Sequence, residues 1–200
     1  MFELFLFINP IGIYCFDVEQ KVQRVAQQLQ LDVRIHYVLL VDVPIMTDDI
    51  CRRRCEAQKI AEPIRYTQIA NQALHYFHAI KLAYGNKRAR EFLLNLQAIL
   101  KCDAGCYNDD LPKRIAEHLH LNWTTISGLI GSADIQESII KDQQIARQWH
   151  VESAPTSVIF NDDNDAGGIM LEGRIPYEDL LDLMRPDPEP YLAMTYPRLV

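Results

Sequence analysis

The hydrophobic pattern of the first forty residues predicts two buried strands joined by a helix. In residues 2–8 (FELFLFI) every position except Glu3 is apolar, so both faces of a strand are apolar, as in a central, buried strand. From Tyr14 to Leu29 apolar residues recur every three or four positions, which predicts an amphipathic helix. Val33 to Val41 is again apolar on both faces. Two such strands with a helix between them predict parallel pairing with a right-handed crossover.

A long helical block follows, from about Asp48 to Val151, with almost no strand signal. Pro112 near the start of one helix and Ser132 as the N-cap of another are typical start signals. The pattern predicts four helices, at Pro63–Tyr84, Arg88–Leu100, residues 111–119 and residues 133–149.

Strand signals return after residue 155. They predict one strand at Ser157–Phe160, a polar turn at Asn161–Asp165, a second strand near Ile169–Leu171 and a helix at Tyr177–Met184. The remaining tail holds four prolines and is predicted to be extended.

This order of elements predicts an α/β protein with the thioredoxin-like topology and an all-helical insertion after its second strand. The expected domains are a discontinuous thioredoxin-like domain over residues 1–47 and 150–186, the insertion over residues 48–149, and a Pro-rich tail over residues 187–200. Without the insertion, the chain keeps about the size of one small domain.

Charge and composition exclude several classes of function. The 200 residues include 20 basic and 27 acidic side chains and carry a net charge of -7, which argues against non-specific binding to nucleic acid or anionic lipid. The basic run Arg52–Arg54 is too short to change this. The sequence contains no apolar run of about 18 residues, the length that a membrane-spanning helix needs. The N-terminus has Glu3 within its apolar run and is therefore unlike a signal peptide. Five cysteines cannot all pair within one chain, which favours a reducing, cytoplasmic compartment.

Candidate chemistry lies in the turn after the first strand. A thiol at a helix N-terminus can have its pKa lowered from about 8.5 to between about 3.5 and 7.5, which makes it nucleophilic. In this turn Gly12 stands where the first thiol of a C-x-x-C pair belongs, and only Cys15 remains. Cys15 shares an apolar stripe with Val18 and Val22, so we expect it to point partly inward. It is either a buried remnant of a redox motif or a single reactive thiol.

Pro155 precedes the third strand within Ser153–Thr156. In thioredoxin-like folds this proline is cis and faces the thiol turn, and the backbone of the preceding residue, here Ala154, offers hydrogen bonds to an extended peptide. An ordinary trans proline that opens a strand is the alternative. The topology and the Gly12–Cys15 spacing favour cis.

Other cysteines and histidines suggest metal binding only weakly. Cys51/Cys55 and Cys102/Cys106 each have i, i+4 spacing, but structural zinc sites more often use tighter C-x-x-C knuckles, so we expect no shared zinc site. In a reducing compartment we expect no Cys102–Cys106 disulfide either. Four of the six histidines are expected at the surface or the edge of the core; they are His75, His78, His118 and His120. Phosphate-loop, nucleophile-elbow and H-E-x-x-H motifs do not occur, and no cofactor is expected.

The segment FELFLFINPIGIYCFDVEQ (residues 2–20) resembles the first strand, turn and helix start of the DsbA family of thiol oxidoreductases. Within it, the chain is most similar to the cytoplasmic adaptor group (SpxH/YjbH type) that presents the regulator Spx to the ClpXP protease. The resemblance continues through AIKLAYG (79–85), FLLNLQ (92–97), DQQIA (142–146) and APTS (154–157), and covers roughly residues 2–184. Three features depart from that group: Gly12 interrupts C-x-x-C, residues for an N-terminal His/Cys-rich zinc stretch are absent, and the C-terminal extension is shorter.

Because Gly12 stands in place of the nucleophile, we expect a non-catalytic scaffold that binds a protein partner. The resemblance implies an Spx-like regulator and ClpXP as partners. The residues expected to bind are Pro10, Gly12, Tyr14, Ala154, Pro155 and Thr156. The alternative is a thiol-disulfide oxidoreductase or isomerase, or a glutathione-dependent enzyme, with Cys15 as its catalytic residue. The oligomeric state is left open by the sequence.

Overall fold

A computed structural model describes residues 1–58, 62–101, 106–161 and 167–185. Its four-stranded sheet has the order β2-β1-β3-β4. The strands are β1 (Phe2–Ile8), β2 (Val33–Leu39), β3 (Thr156–Asn161) and β4 (Ile169–Glu172). β1 pairs in parallel with β2, Phe2 opposite Val33, whereas β3 is antiparallel to both β1 and β4. The predicted parallel β1–β2 pair is therefore present.

Eight helices complete the described part of the chain. They are α1 (Cys15–Gln28), α2 (Val43–Cys55), α3 (Pro63–Tyr84), α4 (Asn86–Leu100), α5 (Leu111–His118), α6 (Trp123–Leu129), α7 (Ala133–Gln148) and α8 (Tyr177–Leu183). Helices α2 to α7 lie between β2 and β3 in the chain, so the mixed α/β thioredoxin-like fold with a helical insertion after the second strand is as predicted.

The core is built on the central strand β1. Leu4 and Leu6 are fully buried on one side of β1. On the other side, Trp149, just after α7, packs its ring 4.7 Å from the ring of Phe5 and 5.6 Å from that of Phe7 (centroid distances). Helices of the insertion therefore cover a face of the sheet, and β1 is buried on both sides as its sequence predicts.

Two helices of the insertion were not among the four predicted. Helix α2 begins at Val43, where Asp42 accepts a hydrogen bond from Ile45 N at 2.9 Å. Helix α6 begins after Asn122, whose side chain accepts from Thr125 N at 3.1 Å. Both starts are typical N-caps. The apolar positions of α2 are weakly periodic, whereas α6 is only seven residues long. Asp42 and Asn122 are therefore the features of the sequence that indicate where these two helices begin.

Several predictions lie wholly or partly outside the described residues: most of the turn at Asn161–Asp165, the tail at 187–200 and the pairing of Cys102. Among the helices that the structure describes, none is long and apolar enough to cross a membrane.

Candidate functional site

The turn between β1 and α1 is shaped by its own backbone and by Asn9. The Asn9 side chain accepts a hydrogen bond from Ile11 N at 3.1 Å, and the Asn9 backbone carbonyl accepts one from Gly12 N at 2.9 Å. Cys15 N then donates to the Gly12 carbonyl at 3.2 Å, where α1 begins. Strand β1 thus leads directly into the turn in which the sequence predicts the candidate chemistry.

A buried ion pair on helix α2, between Asp49 and Arg53, forms hydrogen bonds with the backbone of this turn. Asp49 Oδ1 accepts from Ile13 N at 2.9 Å, and Asp49 Oδ2 is bound by Arg53 Nε at 3.2 Å and by the Tyr66 hydroxyl at 2.5 Å. Arg53 also donates to the Ile11 carbonyl and is only 1% exposed. Helices α2 and α3 therefore fix the turn through charge-assisted hydrogen bonds.

Cys15 is buried beneath the turn, with 1% of its surface exposed. Burial raises the pKa of its thiol well above the ordinary value, and the nearby Asp49 carboxylate raises it further. Because the thiolate is the reactive form, this environment suppresses nucleophilic chemistry at Cys15. Its role as a catalytic residue stays a prediction, and the burial of the sulfur argues against it.

Gly12 is buried directly beside that sulfur. A Cβ built on Gly12 would lie 2.6 Å from Cys15 Sγ and 3.1 Å from Asn9 Cβ, both closer than ordinary van der Waals contact. The Cys15 sulfur therefore occupies the space into which a side chain at position 12 would project.

The loop before β3 is tied to both the sheet and the insertion. The Ala154–Pro155 peptide bond is cis. Arg52 Nη1 of α2 donates to the Ala154 carbonyl at 2.7 Å, and Gly173 N donates to the Pro155 carbonyl at 2.7 Å. An extended segment that pairs with Ala154 must therefore displace Arg52 or use the second lone pair of that carbonyl.

Tyr14 lies at the surface between two guanidinium groups. Its ring centroid is 5.4 Å from Cζ of Arg52 and 4.7 Å from Cζ of Arg174, distances at which cation–π attraction operates. Its hydroxyl donates to Glu56 Oε1 at 3.0 Å, and Arg52 pairs with Asp48 at 2.5 Å. We call Tyr14, Arg52 and Arg174 the Tyr14 platform.

The structure places the six expected binding residues in the β1–α1 turn and at the adjoining start of β3, but with unequal exposure. Tyr14 is half-buried, whereas the other five are buried; they are Pro10, Gly12, Ala154, Pro155 and Thr156. Thr156 is further engaged, because its hydroxyl donates to the Ser153 carbonyl at 2.8 Å. The binding role of all six stays a prediction.

Sequence reasoning missed the residues of α2 that hold the site. The sequence presents Arg52 and Arg53 as part of a short basic run, Arg52–Arg54. The signal that identifies them is the i, i+4 spacing of Asp48–Arg52 and Asp49–Arg53, which places opposite charges on one helix face.

His78 is not at the surface or the core edge as predicted. It lies on α3 and is fully buried against α7, with Nδ1 2.8 Å from the Ser138 hydroxyl and Nε2 3.6 Å from Asp142 Oδ2. Burial lowers the pKa of His78 to about 3, so the imidazole is neutral near pH 7 and joins the two helices.

The remaining histidines and cysteines do not form a metal site in the described part of the chain, where no suitable group of three or more His, Cys, Asp or Glu occurs. The exposed thiols there are Cys51, Cys55 and Cys106, and Cys102 lies outside the described residues.

The sheet order, the turn at the start of α1 and the cis-proline loop before β3 define a DsbA-like protein of the thioredoxin fold, with Gly12 and Cys15 at G-x-x-C spacing in that turn. The chain belongs to the thioredoxin family, because the family model described as Thioredoxin matches residues 5–181.

Known proteins agree with this class. The chain is 24% identical to the ClpXP adapter protein SpxH of Staphylococcus saprophyticus over 175 residues and 25% identical to SpxH of Staphylococcus aureus over 185 residues. Each match covers 88% of this chain and 62% of the relative, so the chain spans about three fifths of the relatives' length. It also superposes on the thiol-disulfide exchange protein α-DsbA2 of Wolbachia pipientis with a TM-score of 0.61, 10% identity and coverage of 92% of this chain and 82% of that one, which supports the fold alone.

Proposed function

We propose that this chain is a non-catalytic, DsbA-like adaptor that presents an Spx-like regulator to the ClpXP protease in the cytoplasm. The observation that supports the proposal is the packing of the β1–α1 turn: Gly12 stands where the resemblance to the DsbA family expects the first thiol, and the sulfur of Cys15 is buried against it. The similarity to ClpXP adapter proteins supports the same function.

The proposed partner surface is the Tyr14 platform with the adjoining Ala154–Pro155 loop. Tyr14 is the most exposed of the six expected binding residues, and tyrosine and arginine are the side chains most enriched among residues that dominate binding energy. The Ala154 carbonyl, already bound by Arg52, offers a backbone acceptor for an added strand.

The test is a reconstituted degradation reaction containing ClpXP, an Spx-like regulator and the purified chain. We expect the chain to accelerate degradation and Tyr14→Ala to weaken its binding of the regulator by about tenfold, which corresponds to about 1.4 kcal/mol. Tyr177→Ala is the matched control, because Tyr177 also lies under an arginine, Arg24, at 5.1 Å, but on α8. Absence of both binding and acceleration by the wild-type chain would refute the adaptor function.

The alternative, a thiol enzyme that works through Cys15, has a separate test. We expect Cys15 to react with iodoacetamide at least about a hundredfold more slowly than the exposed Cys51 and Cys55 at pH 7, because its pKa is raised by burial. Cys15→Ala is expected to keep adaptor activity. Rapid labelling of Cys15 with an apparent pKa below 8, together with loss of activity in Cys15→Ala, would favour the enzyme instead.

A further inference from the structure

Strand β2 lies at the edge of the sheet, and its outer side is not paired with another described strand. Successive peptide groups of a strand point to opposite sides. Leu40 N donates towards β1, to the Ile8 carbonyl at 2.9 Å, whereas Leu39 N donates outwards, to Asp142 Oδ2 at 3.0 Å. The odd-numbered residues of β2 therefore present their peptide groups to the outer edge.

The two ends of this edge differ. At the C-terminal end, α7 packs against β2 and Asp142 caps Leu39. At the N-terminal end, no described residue forms a hydrogen bond with the outward peptide groups of Val33 and Ile35. Both side chains are only half-buried. An uncovered edge of this kind accepts another strand.

The charges beside the open end are self-complementary. Asp32 and Arg34 flank Val33, and both are exposed. Neither forms an ion pair with any other residue of the described ranges. Glu3, which lies opposite Arg34 on β1, is bound by His36 at 2.8 Å instead.

We propose that a second copy of this chain pairs antiparallel with β2 about a two-fold axis at Val33, which makes one continuous sheet of both molecules. The two Val33 residues then exchange N–H···O=C hydrogen bonds, and Leu31 of each copy faces Ile35 of the other. Each Asp32 lies directly opposite the Arg34 of the other copy, so one register forms two ion pairs. A two-fold axis requires such self-complementarity.

The Val33 register is favoured over its neighbour at Ile35. An axis at Ile35 brings Arg34 opposite His36, which offers no opposite charge, and moves the pairing towards the end covered by α7. The interface is small, so we expect a dimer with a dissociation constant on the order of 10 µM.

The test is sedimentation velocity of the full chain from about 1 to 200 µM, a range that brackets the expected constant, with reductant present because Cys51, Cys55 and Cys106 are exposed. Arg34→Asp places two acids opposite each other and Asp32→Arg places two bases opposite each other. We expect each to weaken the dimer at least about tenfold, and the double variant Asp32→Arg/Arg34→Asp to restore it. Lys87→Asp, an equal charge change at an exposed residue of α4, is the control.

Hydrogen exchange gives a second measurement that identifies the surface. We expect the amides of Val33 and Ile35 to exchange more slowly as the protein concentration rises, with little change for Arg34, whose amide already faces β1. A chain that stays monomeric up to 200 µM would overturn the proposal, at a concentration well above the expected constant. So would a dimer that neither charge reversal weakens.

Discussion

Gly12 leaves room for the Cys15 sulfur beneath the turn, so a substitution of Gly12 tests the packing of the site directly. Gly12→Ala introduces a Cβ at 2.6 Å from Cys15 Sγ, and we expect a loss of about 1–3 kcal/mol in unfolding free energy through overpacking. Gly12→Cys introduces the same Cβ but adds a thiol that can bond to Cys15. We expect this variant to form an intramolecular disulfide and to gain disulfide-reductase activity.

Denaturant unfolding compares the two variants, and intact mass before and after reduction, with an insulin-reduction assay, detects the disulfide and its activity. Gly12→Ala serves as the control for the added volume. A folded Gly12→Cys protein that neither loses two hydrogens on oxidation nor reduces insulin would contradict the placement of the turn.

Arg53 forms a buried ion pair whose contribution to stability can be measured by substitution. Its guanidinium neutralises Asp49 while both are almost fully buried, and removal of one partner of a buried ion pair costs about 3–5 kcal/mol. We expect Arg53→Met to lower stability by that amount, measured from urea denaturation midpoints. Arg54→Met, the same change at the exposed neighbouring position, is expected to stay within about 0.5 kcal/mol of wild type. Equal effects of the two substitutions would show that the buried pair does not stabilise the turn.

At the scale of elements, α1 meets β2 and α4 around a buried carboxyl group. Burial raises the pKa of Glu19 to about 7, and the nearby Tyr37 hydroxyl and Arg90 guanidinium only partly oppose the shift. The folded state therefore holds this proton at a pH where the unfolded chain, with the ordinary pKa of 4.5, has released it. The contribution of Glu19 to stability is complete below pH 4.5 and declines as the pH rises through 7.

We expect the stability of wild type relative to Glu19→Gln to fall by up to about 3 kcal/mol between pH 4.5 and 8. Urea midpoints of both proteins across that range measure the difference, in which the titration of Asp142 and other groups common to both cancels. A difference that is constant with pH would mean that Glu19 titrates normally.

Periodicity along the chain predicts the elements with strong apolar patterns. The continuous apolar run of β1, the stripe of α1 and the Ser132 cap of α7 are clear in the sequence, and the structure has each of them. Helix α2 is missed because its apolar positions do not form a regular stripe, and α6 because its seven residues, with Trp123, Ile126 and Leu129 on one face, are too few to show a clear period.

Only those parts of the candidate site that are formed by residues close together in the sequence can be predicted. The spacing of Gly12 and Cys15 and the position of Pro155 can be read from the topology. The contacts of Arg52 with Ala154 and of Arg53 with Ile11 join residues 102 and 42 positions apart, and no local pattern reports such distant partners.

At the scale of the whole molecule, these long-range contacts bind the insertion to the thioredoxin-like part. Helix α2 holds the turn through Asp49 and Arg53 and the cis-proline loop through Arg52. Helix α7 caps β2 through Asp142. Because charged, mostly buried groups form these links, we expect the predicted insertion at 48–149 and the rest of the chain to unfold together.

The two tryptophans of the chain allow a direct test of this cooperativity. Trp149 packs on Phe5 and Phe7 of the sheet, whereas Trp123 packs on Tyr76 within the insertion, with ring centroids 5.1 Å apart. Trp123→Phe leaves fluorescence that reports on the sheet, and Trp149→Phe leaves fluorescence that reports on the insertion.

In each single-tryptophan variant, we expect the fluorescence transition in urea to coincide with the loss of helical circular dichroism measured on the same sample, because one cooperative unit has one transition. Comparison within one variant removes the effect of the substitution on stability. If the Trp149 signal of Trp123→Phe changed at a higher urea concentration than its helical signal, most of which comes from α2 to α7, the insertion would be unfolding on its own. The contacts of Arg52, Arg53 and Asp142 would then be too weak to couple it to the sheet.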